Sequence, residues 1–362
     1  MTDRAGIGRR EALATLAGLL TPRLALGAHV TVATLIGNGR PGLSERQVSN
    51  PYGVVIGPHG ALLFCDLDNQ CIRRIERRSW RTSVIAGNGV RGYAGDGGPA
   101  TQASLNMPHE IQSGPGGHLY IVERDNHVVR RVDGRTGIIT TLAGTGAPGF
   151  SGDGGPAASA SLRLPHSIAL EPSGQGLLVC DIGNHRIRRV DLTTGLITTV
   201  GGTGEPGTPR DGAPLAGSPL NGPRTMTFDR DGHLYLALRE GNAIYRVDAQ
   251  TRELRHLAGT GRQGYTGDGG PARDATLSGP KGLAWGPSGL FVADTENHAI
   301  RRIDHKDGRI TTVLGTGAPG DGPEPDAAHC ALNRPHGLCI ARRGVLYVAD
   351  SESHRIRVVR GL

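Results

Sequence analysis

Three histidines that each follow a proline carry the clearest potential for chemistry in this sequence. They are His109, His166 and His336, and each Pro-His dipeptide opens a short apolar run. Neutral imidazoles that converge on one point are a common way to bind Zn²⁺ while a coordination position stays open for water or substrate. The alternative is that these side chains only line a channel around ordered water. The pattern therefore predicts either a divalent metal site, with Zn²⁺ favoured over Ca²⁺, or a polar channel mouth.

Four further residues are predicted to bind substrate beside these histidines. Tyr52, Arg224 and Lys281 each follow a proline as the histidines do, and Arg239 stands in a later turn where other copies of the same pattern have an acidic residue. Guanidinium and ammonium groups pair with carboxylates. A small anionic substrate is therefore expected opposite the histidines, although the pattern identifies no catalytic residue.

A repeated unit of about 55 to 58 residues positions all of these side chains. Its marker is an Asp-x-x-Asn-His turn, clearest at residues 181–185 and 294–298. Each copy contains short runs that are rich in β-branched residues and bounded by turn residues, which is typical of strands in an up-and-down meander. Six copies predict an all-β fold: a six-bladed β-propeller with four-stranded blades.

The two ends of the chain bear on this prediction. The sixth copy stops after its third strand, at residues 354–359, whereas residues 32–42 match the fourth strand and linker seen at 140–149. We expect the N-terminal strand to complete the last blade, because an open sheet edge invites aggregation. The predicted organisation is an export signal over residues 1–28 and a single propeller domain over 29–362.

Residues 1–28 have the pattern of an export signal. Arg9 and Arg10 precede an apolar stretch at residues 12–20, and a small-residue segment ends near Ala28. This order is that of a signal peptide, and the paired arginines resemble those of bacterial twin-arginine signals. A short amphipathic helix is the alternative. The pattern predicts a periplasmic or secreted protein.

Composition excludes several classes of protein. The chain has 362 residues with 58 Gly and 23 Pro at recurring intervals and only five Cys, so neither collagen nor a disulfide scaffold fits. No apolar run reaches the roughly 18 residues that span a bilayer, so no integral membrane segment is expected. Two disulfide pairs, Cys65 with Cys71 and Cys330 with Cys339, stay open as alternatives.

The basic residues do not indicate a nucleic-acid-binding protein. The formal net charge is +7, and the paired arginines at 73–74, 130–131, 188–189 and 301–302 are expected to form a solvated band around the ring. Only four Phe, two Trp and seven Tyr are available to stack on bases. The expected partner is a small anionic molecule, a peptide or a protein, bound by a monomer.

The repeat resembles the NHL repeat over essentially the whole chain from residue 30 onward. The Leu-Tyr-Val-Ala-Asp-x-x-x-His-x-Ile-Arg pattern is clearest at residues 346–357, and the Gly-Asp-Gly-Gly-Pro-Ala linkers within 144–157 and 259–272 resemble those of bacterial members. The resemblance implies a β-propeller. It leaves the function open, because NHL propellers serve as enzymes, protein-binding platforms and RNA-binding domains.

The Pro-His dipeptides also resemble the metal site of the peptidyl-hydroxyglycine amidating lyases, whose ligands come from Pro-His dipeptides at channel strands. Only His109, His166 and His336 match, and they come from the second, third and sixth copies rather than from alternate ones. The first hypothesis is thus an exported metal-dependent lyase or hydrolase acting on a small anionic substrate at the channel mouth. The second is a non-catalytic platform whose top face binds a protein, peptide or glycan, and RNA binding is a third.

Overall fold

The computed structural model describes residues 30–76, 79 and 81–362 and consists mostly of β-strands. Its strands form six separate four-stranded antiparallel sheets. The predicted six-bladed β-propeller is confirmed. The predicted export signal at residues 1–28 lies outside the described residues.

Each blade has an innermost strand followed by three strands toward the rim. The first and second blades contain β2 (Pro51–Ile56), β3 (Leu62–Asp66), β4 (Cys71–Ile75), β5 (Thr82–Ala86), β6 (Pro108–Ser113), β7 (Leu119–Glu123), β8 (Val128–Val132) and β9 (Ile139–Ala143). The third and fourth contain β10 (Pro165–Leu170), β11 (Gly176–Asp181), β12 (Arg186–Asp191), β13 (Ile197–Gly201), β14 (Pro223–Phe228), β15 (Leu234–Leu238), β16 (Ala243–Val247) and β17 (Leu254–Ala258). The fifth and sixth contain β18 (Pro280–Gly286), β19 (Gly289–Asp294), β20 (Ala299–Asp304), β21 (Ile310–Leu314), β22 (Pro335–Ile340), β23 (Leu346–Asp350), β24 (Arg355–Arg360) and the N-terminal β1 (Thr31–Ile36).

Helical structure among the described residues is limited to single 3-10 turns. They lie at Pro58–Gly60, Ala100–Gln102, Pro115–Gly117, Ala157–Ser159, Ile182–Asn184, Ala272–Asp274, Thr295–Asn297 and Arg342–Gly344. Within this part of the chain, no helix combines the length and the apolar character needed to cross a membrane.

Strand β1 closes the ring. It runs antiparallel to β24, with Val32 opposite Val359, and gives the last sheet the order β1-β24-β23-β22. Val32 is 1% exposed and belongs to the core between the fifth and sixth blades. The Arg357 guanidinium also donates to Thr34 Oγ1 at 2.8 Å. The predicted closure by the N-terminal strand is confirmed.

Deleting β1 should therefore destabilise the whole ring. A chain that begins at Gly42, compared with one that begins at Val30, loses the buried side chains of Val32 and Ile36 and the whole β1–β24 ladder. Because burying an aliphatic side chain contributes about 1.5–3 kcal/mol, we expect the free energy of unfolding in urea to fall by about 3–6 kcal/mol. Equal unfolding midpoints for the two chains would show that the ring does not depend on β1.

The hydrophobic core lies between neighbouring blades. Leu178 of the third blade, for example, packs in one cluster with Leu236 and Tyr245 of the fourth. Both faces of a blade are covered in this way, so a second strand such as β15 is buried along its whole length. All five cysteines are free, and neither of the disulfide pairs left open by the sequence is formed.

The first arginine of each pair is buried, which corrects the prediction of a solvated band. These arginines are at most 3% exposed, and each binds the buried acidic residue that ends the second strand of its blade. Strand alternation turns the first member of each pair toward the linker that covers the blade and leaves only the second member near solvent. The buried members are Arg73, Arg130, Arg188, Arg301 and, in the sixth blade, Arg357.

The third blade shows what this network holds in place. The Arg188 guanidinium lies 2.8 Å from Asp153 of the linker and 3.5 Å from Asp181 at the end of β11. Asp181 in turn accepts hydrogen bonds from the Arg163 backbone N–H at 2.7 Å and from the Asn184 side chain at 2.8 Å. The linker that leads into β10 is thereby fixed, and with it the start of the strand that faces the channel.

Candidate functional site at the channel mouth

Six side chains form a ring at the top of the central channel. Each belongs to the second residue of an innermost strand. In every blade the pairing register with the second strand shifts just after the opening proline. Such a shift takes the residue out of the hydrogen-bonded ladder and redirects its side chain. This mouth ring consists of Tyr52, His109, His166, Arg224, Lys281 and His336.

Ring contacts bring four members of the mouth ring together. Tyr52 stacks on His336 with centroids 4.0 Å apart and meets His109 edge-on at 4.7 Å. His109 meets His166 edge-on at 4.8 Å. The structure thus places the three sequence-predicted histidines on one arc together with Tyr52. All members except Tyr52 are at most 8% exposed, so side chains pack the mouth.

The three imidazoles do not fit as ligands of a single metal ion in this arrangement. Tyr52 lies between His109 and His336. His166 Nδ1 lies 2.7 Å from the backbone oxygen of Leu164, and His336 Nδ1 lies 2.8 Å from the backbone oxygen of Arg334. Across residues 30–76, 79 and 81–362, no three His, Cys, Asp or Glu side chains are placed to share a metal ion. We therefore derive no chemistry through the predicted Zn²⁺ or Ca²⁺.

The histidines of the mouth ring are neutral at neutral pH. Burial, with added repulsion from neighbouring positive groups such as Arg224, lowers the pKa of His109, His166 and His336 well below the usual range. Both ring nitrogens of His109, which is 4% exposed, lack a hydrogen-bond partner in the described structure. The imidazoles therefore add no charge to the mouth ring at neutral pH.

Arg224 brings to the ring a charge that no contacting group neutralises. Its side chain is 3% exposed, and it forms no hydrogen bond or ion pair with any residue of the described chain. Burial lowers the pKa of Arg224, but a guanidinium remains protonated at neutral pH. A buried charge without a partner is costly. Arg224 therefore has the property that a buried anion-binding site requires.

Lys281, by contrast, is already paired. Its Nζ lies 2.6 Å from Glu296 Oε1, and Arg334 binds the same carboxylate at 2.8 Å. Burial lowers the pKa of Lys281 to about 8, against the opposing effect of Glu296. Lys281 thus has less free charge to offer a ligand than Arg224. The sequence did not reveal this because Arg334 reaches Glu296 from the linker of the next blade.

Arg239 does not occupy the position that the sequence predicted. Leu238, the last residue of β15, takes the place of the buried acid, and Asn242, with φ +44°, takes the left-handed position that histidine occupies in several other blades. Arg239 is therefore the next turn residue and replaces no acid. Its guanidinium lies 3.2 Å from Glu240 and its side chain is 40% exposed. Tyr245 stands where other blades have the buried arginine, so this blade needs no acid there.

A polar half-ring lies directly beneath the mouth ring. The next residue of the innermost strand is polar in the second to fourth blades and is glycine in the other three. Several of these residues line a channel cavity of about 200 Å³. Burial raises the pKa of Glu110 to about 7, although the charge of Arg224 opposes this shift. The sequence signal for this layer is the second residue after each opening proline: Gly53, Glu110, Ser167, Thr225, Gly282 and Gly337.

Comparisons with known proteins agree with this class of fold. The NHL repeat family matches residues 332–359, in the sixth blade. The chain is 28% identical to NHL repeat-containing protein 2 of Homo sapiens over 67% of this chain and 37% of that protein. It is 30% identical to the Arabidopsis thaliana protein SUPPRESSOR OF QUENCHING 1, chloroplastic, over 75% of this chain and 26% of that protein. The chain therefore contains an NHL repeat in the sixth blade of a six-bladed β-propeller, and it spans about a quarter to two fifths of the length of these curated relatives.

Solved structures share the fold at low sequence identity. A protein of unknown function from Bacteroides thetaiotaomicron has a TM-score of 0.68 at 17% identity, with 91% of this chain and 75% of that chain covered. An auxiliary nutrient binding protein from the same organism has a TM-score of 0.67 at 17% identity, with coverage of 91% and 76%. Virginiamycin B lyase from Staphylococcus aureus has a TM-score of 0.52 at 16% identity, with coverage of 91% and 98%. These likenesses show the propeller fold alone.

Proposed function

We propose that this protein binds a small carboxylate at the top of its channel, with Arg224 as the residue that holds the anion. The observation that carries this proposal is the burial of the Arg224 guanidinium without a partner in the described chain. Arginine and carboxylate form paired, charge-assisted hydrogen bonds. A ligand carboxylate would therefore supply the acceptors that Arg224 lacks.

The surroundings of Arg224 favour an anion over a cation. Burial lowers the pKa of His166, and electrostatic repulsion from Arg124 of the second blade and Arg239 of the fourth lowers it further. The ring histidines add no negative charge, and the ring nitrogens of His109 are buried without a hydrogen-bond partner in the described structure. A carboxylate at this place would meet the positive charge of Arg224, and Glu110 is the acidic group whose charge also acts on Arg224.

Calorimetric titration with propionate tests the proposal. We expect Arg224→Met to weaken propionate binding by about 10- to 100-fold relative to wild type, because a hydrogen bond to a charged group is worth about 1.5–3 kcal/mol. The matched control is Arg262→Gln, which removes an exposed guanidinium from a linker and should leave the affinity unchanged. Equal affinities for wild type and Arg224→Met would contradict the proposal.

The sequence predicts that the protein is a lyase or a hydrolase that converts its substrate, and this activity stays a prediction. The predicted metal ligands do not fit one ion in this arrangement, so the proposal assigns binding only. The lyase activity of the structurally similar Staphylococcus aureus protein belongs to that protein.

A platform for a peptide or protein is a second candidate function. Three linkers carry an aromatic residue at the same place, each stacked over a buried arginine and still 37–43% exposed. Aromatic residues are enriched in protein interfaces. Replacing all three with Ala should leave propionate binding unchanged, which separates this surface from the channel. The three residues are Tyr93, Phe150 and Tyr265.

We also propose that the protein acts in the periplasm or outside the cell. Replacing both Arg9 and Arg10 with Lys should retain unprocessed protein in the cytoplasm of a host with a twin-arginine system, because the pathway reads the arginine pair. Cell fractionation measures the distribution, and Arg4→Lys in the same segment is the control. Equal periplasmic amounts of the double variant and wild type would argue against twin-arginine export.

A further inference from the structure

The polar half-ring beneath the mouth ring lies on the same side of the channel as Arg224. Glu110, Ser167 and Thr225 directly follow His109, His166 and Arg224 on three neighbouring innermost strands, and all three line the channel cavity. The equivalent residues of the other three blades are glycines. Thr225 directly follows Arg224 on β14, so a ligand in this cavity would lie beside the strand that carries Arg224.

The glycine half of this layer is closed by close contact between strands. A Cβ at Gly282 or Gly337 would clash with the backbone oxygen of the neighbouring mouth-ring residue, and a Cβ at Gly53 would clash with the Glu110 carboxyl. The absence of a side chain at Gly53 thus makes the room in which the Glu110 carboxyl lies. The polar side chains of the cavity at this level come from the second, third and fourth blades.

These polar groups are short of partners. Ser167 and Thr225 are 1% and 4% exposed, and neither hydroxyl has a hydrogen bond within the described structure. The Glu110 carboxyl accepts one long bond, 3.4 Å from the backbone N–H of Ile111. No ion pair joins Glu110 to Arg224, although each influences the other electrostatically. Two groups of opposite charge therefore share one channel without neutralising each other by contact.

We infer that the ligand is a small carboxylate that also carries an O–H or N–H donor close to the carboxylate, as hydroxy- and amino-carboxylates do. Its carboxylate binds Arg224 and its donor binds Glu110, with the hydroxyls of Ser167 and Thr225 beside it. Glu110 is thus a residue that determines specificity. This inference rests on the proposed binding at Arg224 and names the class of ligand.

Propionate, lactate and alanine form a matched set of probes, because they differ only in the substituent on the carbon next to the carboxylate. Titrated into wild type at about pH 8, above the pKa of about 7 that burial gives Glu110, lactate or alanine should bind at least about 10-fold more tightly than propionate, since a hydrogen bond to a charged group contributes about 1.5–3 kcal/mol. A preference for lactate identifies a hydroxy-carboxylate, and a preference for alanine identifies an amino-carboxylate.

The Glu110→Gln variant keeps the size of the side chain and removes its charge. We expect it to reduce the preference over propionate to within about threefold, as for a bond between neutral groups. The control is Glu205→Gln, at an exposed site on a linker. If Glu110→Gln does not fold, Thr225→Val keeps the shape of its side chain and should lower the preference about threefold.

The possible results separate this inference from the proposed function. Equal affinities of wild type for the three probes would overturn the donor requirement and leave the anion site intact. A Glu110→Gln variant that weakens all three probes equally would show that Glu110 only supports the fold, which also overturns the inference. Wild type and Arg224→Met that bind propionate equally, or not at all, would overturn the proposed function itself.

Discussion

Replacing Arg224 with Met should make the folded protein more stable in the absence of ligand, although it removes the proposed ligand binding. The guanidinium is buried and has no hydrogen bond or ion pair in the described chain, so its desolvation in the folded state is opposed only by longer-range attraction to groups such as Glu110. Apolar replacement of buried charges can stabilise a protein by about 1–4 kcal/mol. We expect the free energy of unfolding in urea to rise by about 1–3 kcal/mol, within that range.

The matched control for this result is Arg188→Met. Arg188 is also buried, but it is paired with Asp153 and Asp181. Its removal leaves a buried carboxylate without its partner and should cost about 3–5 kcal/mol. If Arg224→Met destabilised the protein as much as Arg188→Met does, Arg224 would have to be counted among the residues that hold the fold.

Asp181→Leu should cause a loss of stability as large as that expected for Arg188→Met. Asp181 is fully buried, and it binds Arg188, the Arg163 backbone and Asn184. Its loss would leave the Arg188 guanidinium with only the partly exposed Asp153 and would release the linker before β10. Breaking a buried ion pair from one side costs about 3–5 kcal/mol, which urea denaturation can measure.

The fourth blade supplies the control for this prediction within the same chain. Leu238 and Tyr245 occupy the places of Asp181 and Arg188 there, so an apolar residue and a tyrosine are compatible with the blade. The double variant Asp181→Leu with Arg188→Tyr should therefore regain at least about 1 kcal/mol over Asp181→Leu alone, a coupling expected for residues in contact. Simply additive losses would show that the two positions do not act as a pair.

The fold could be predicted because the same pattern of strands and turns occurs in six copies along the chain. The spacing of the Asp-x-x-Asn-His turns gave the number of blades, and the match of the chain ends gave the closure by β1, now seen paired with β24. The mouth ring was predictable for a similar reason, because the residue after each opening proline has the same place in six strands. Features that recur at a fixed position of every repeat can therefore be predicted from the sequence.

The charge state of the site could not be predicted, because it depends on contacts between blades. Lys281 and Arg224 look equivalent in the sequence, yet Lys281 is paired with Glu296 while Arg224 has no partner in the described chain. The arrangement of the histidines could not be predicted either, since the sequence does not show that Tyr52 lies between His109 and His336. In the fourth blade, Leu238 and not Arg239 occupies the position of the buried acid. The sequence did not show this, because Leu238 and Tyr245 together replace both the buried acid and the buried arginine of the other blades.

The central claim, that Arg224 binds a carboxylate, is tested most directly by a crystal structure of the protein with propionate. The structure should show both carboxylate oxygens about 2.7–2.9 Å from the Arg224 guanidinium, as in paired arginine–carboxylate bonds, and crystals of Arg224→Met grown with propionate should show no carboxylate at that place. Propionate found elsewhere, or an Arg224 guanidinium paired with an acidic side chain of the protein itself, would contradict the claim.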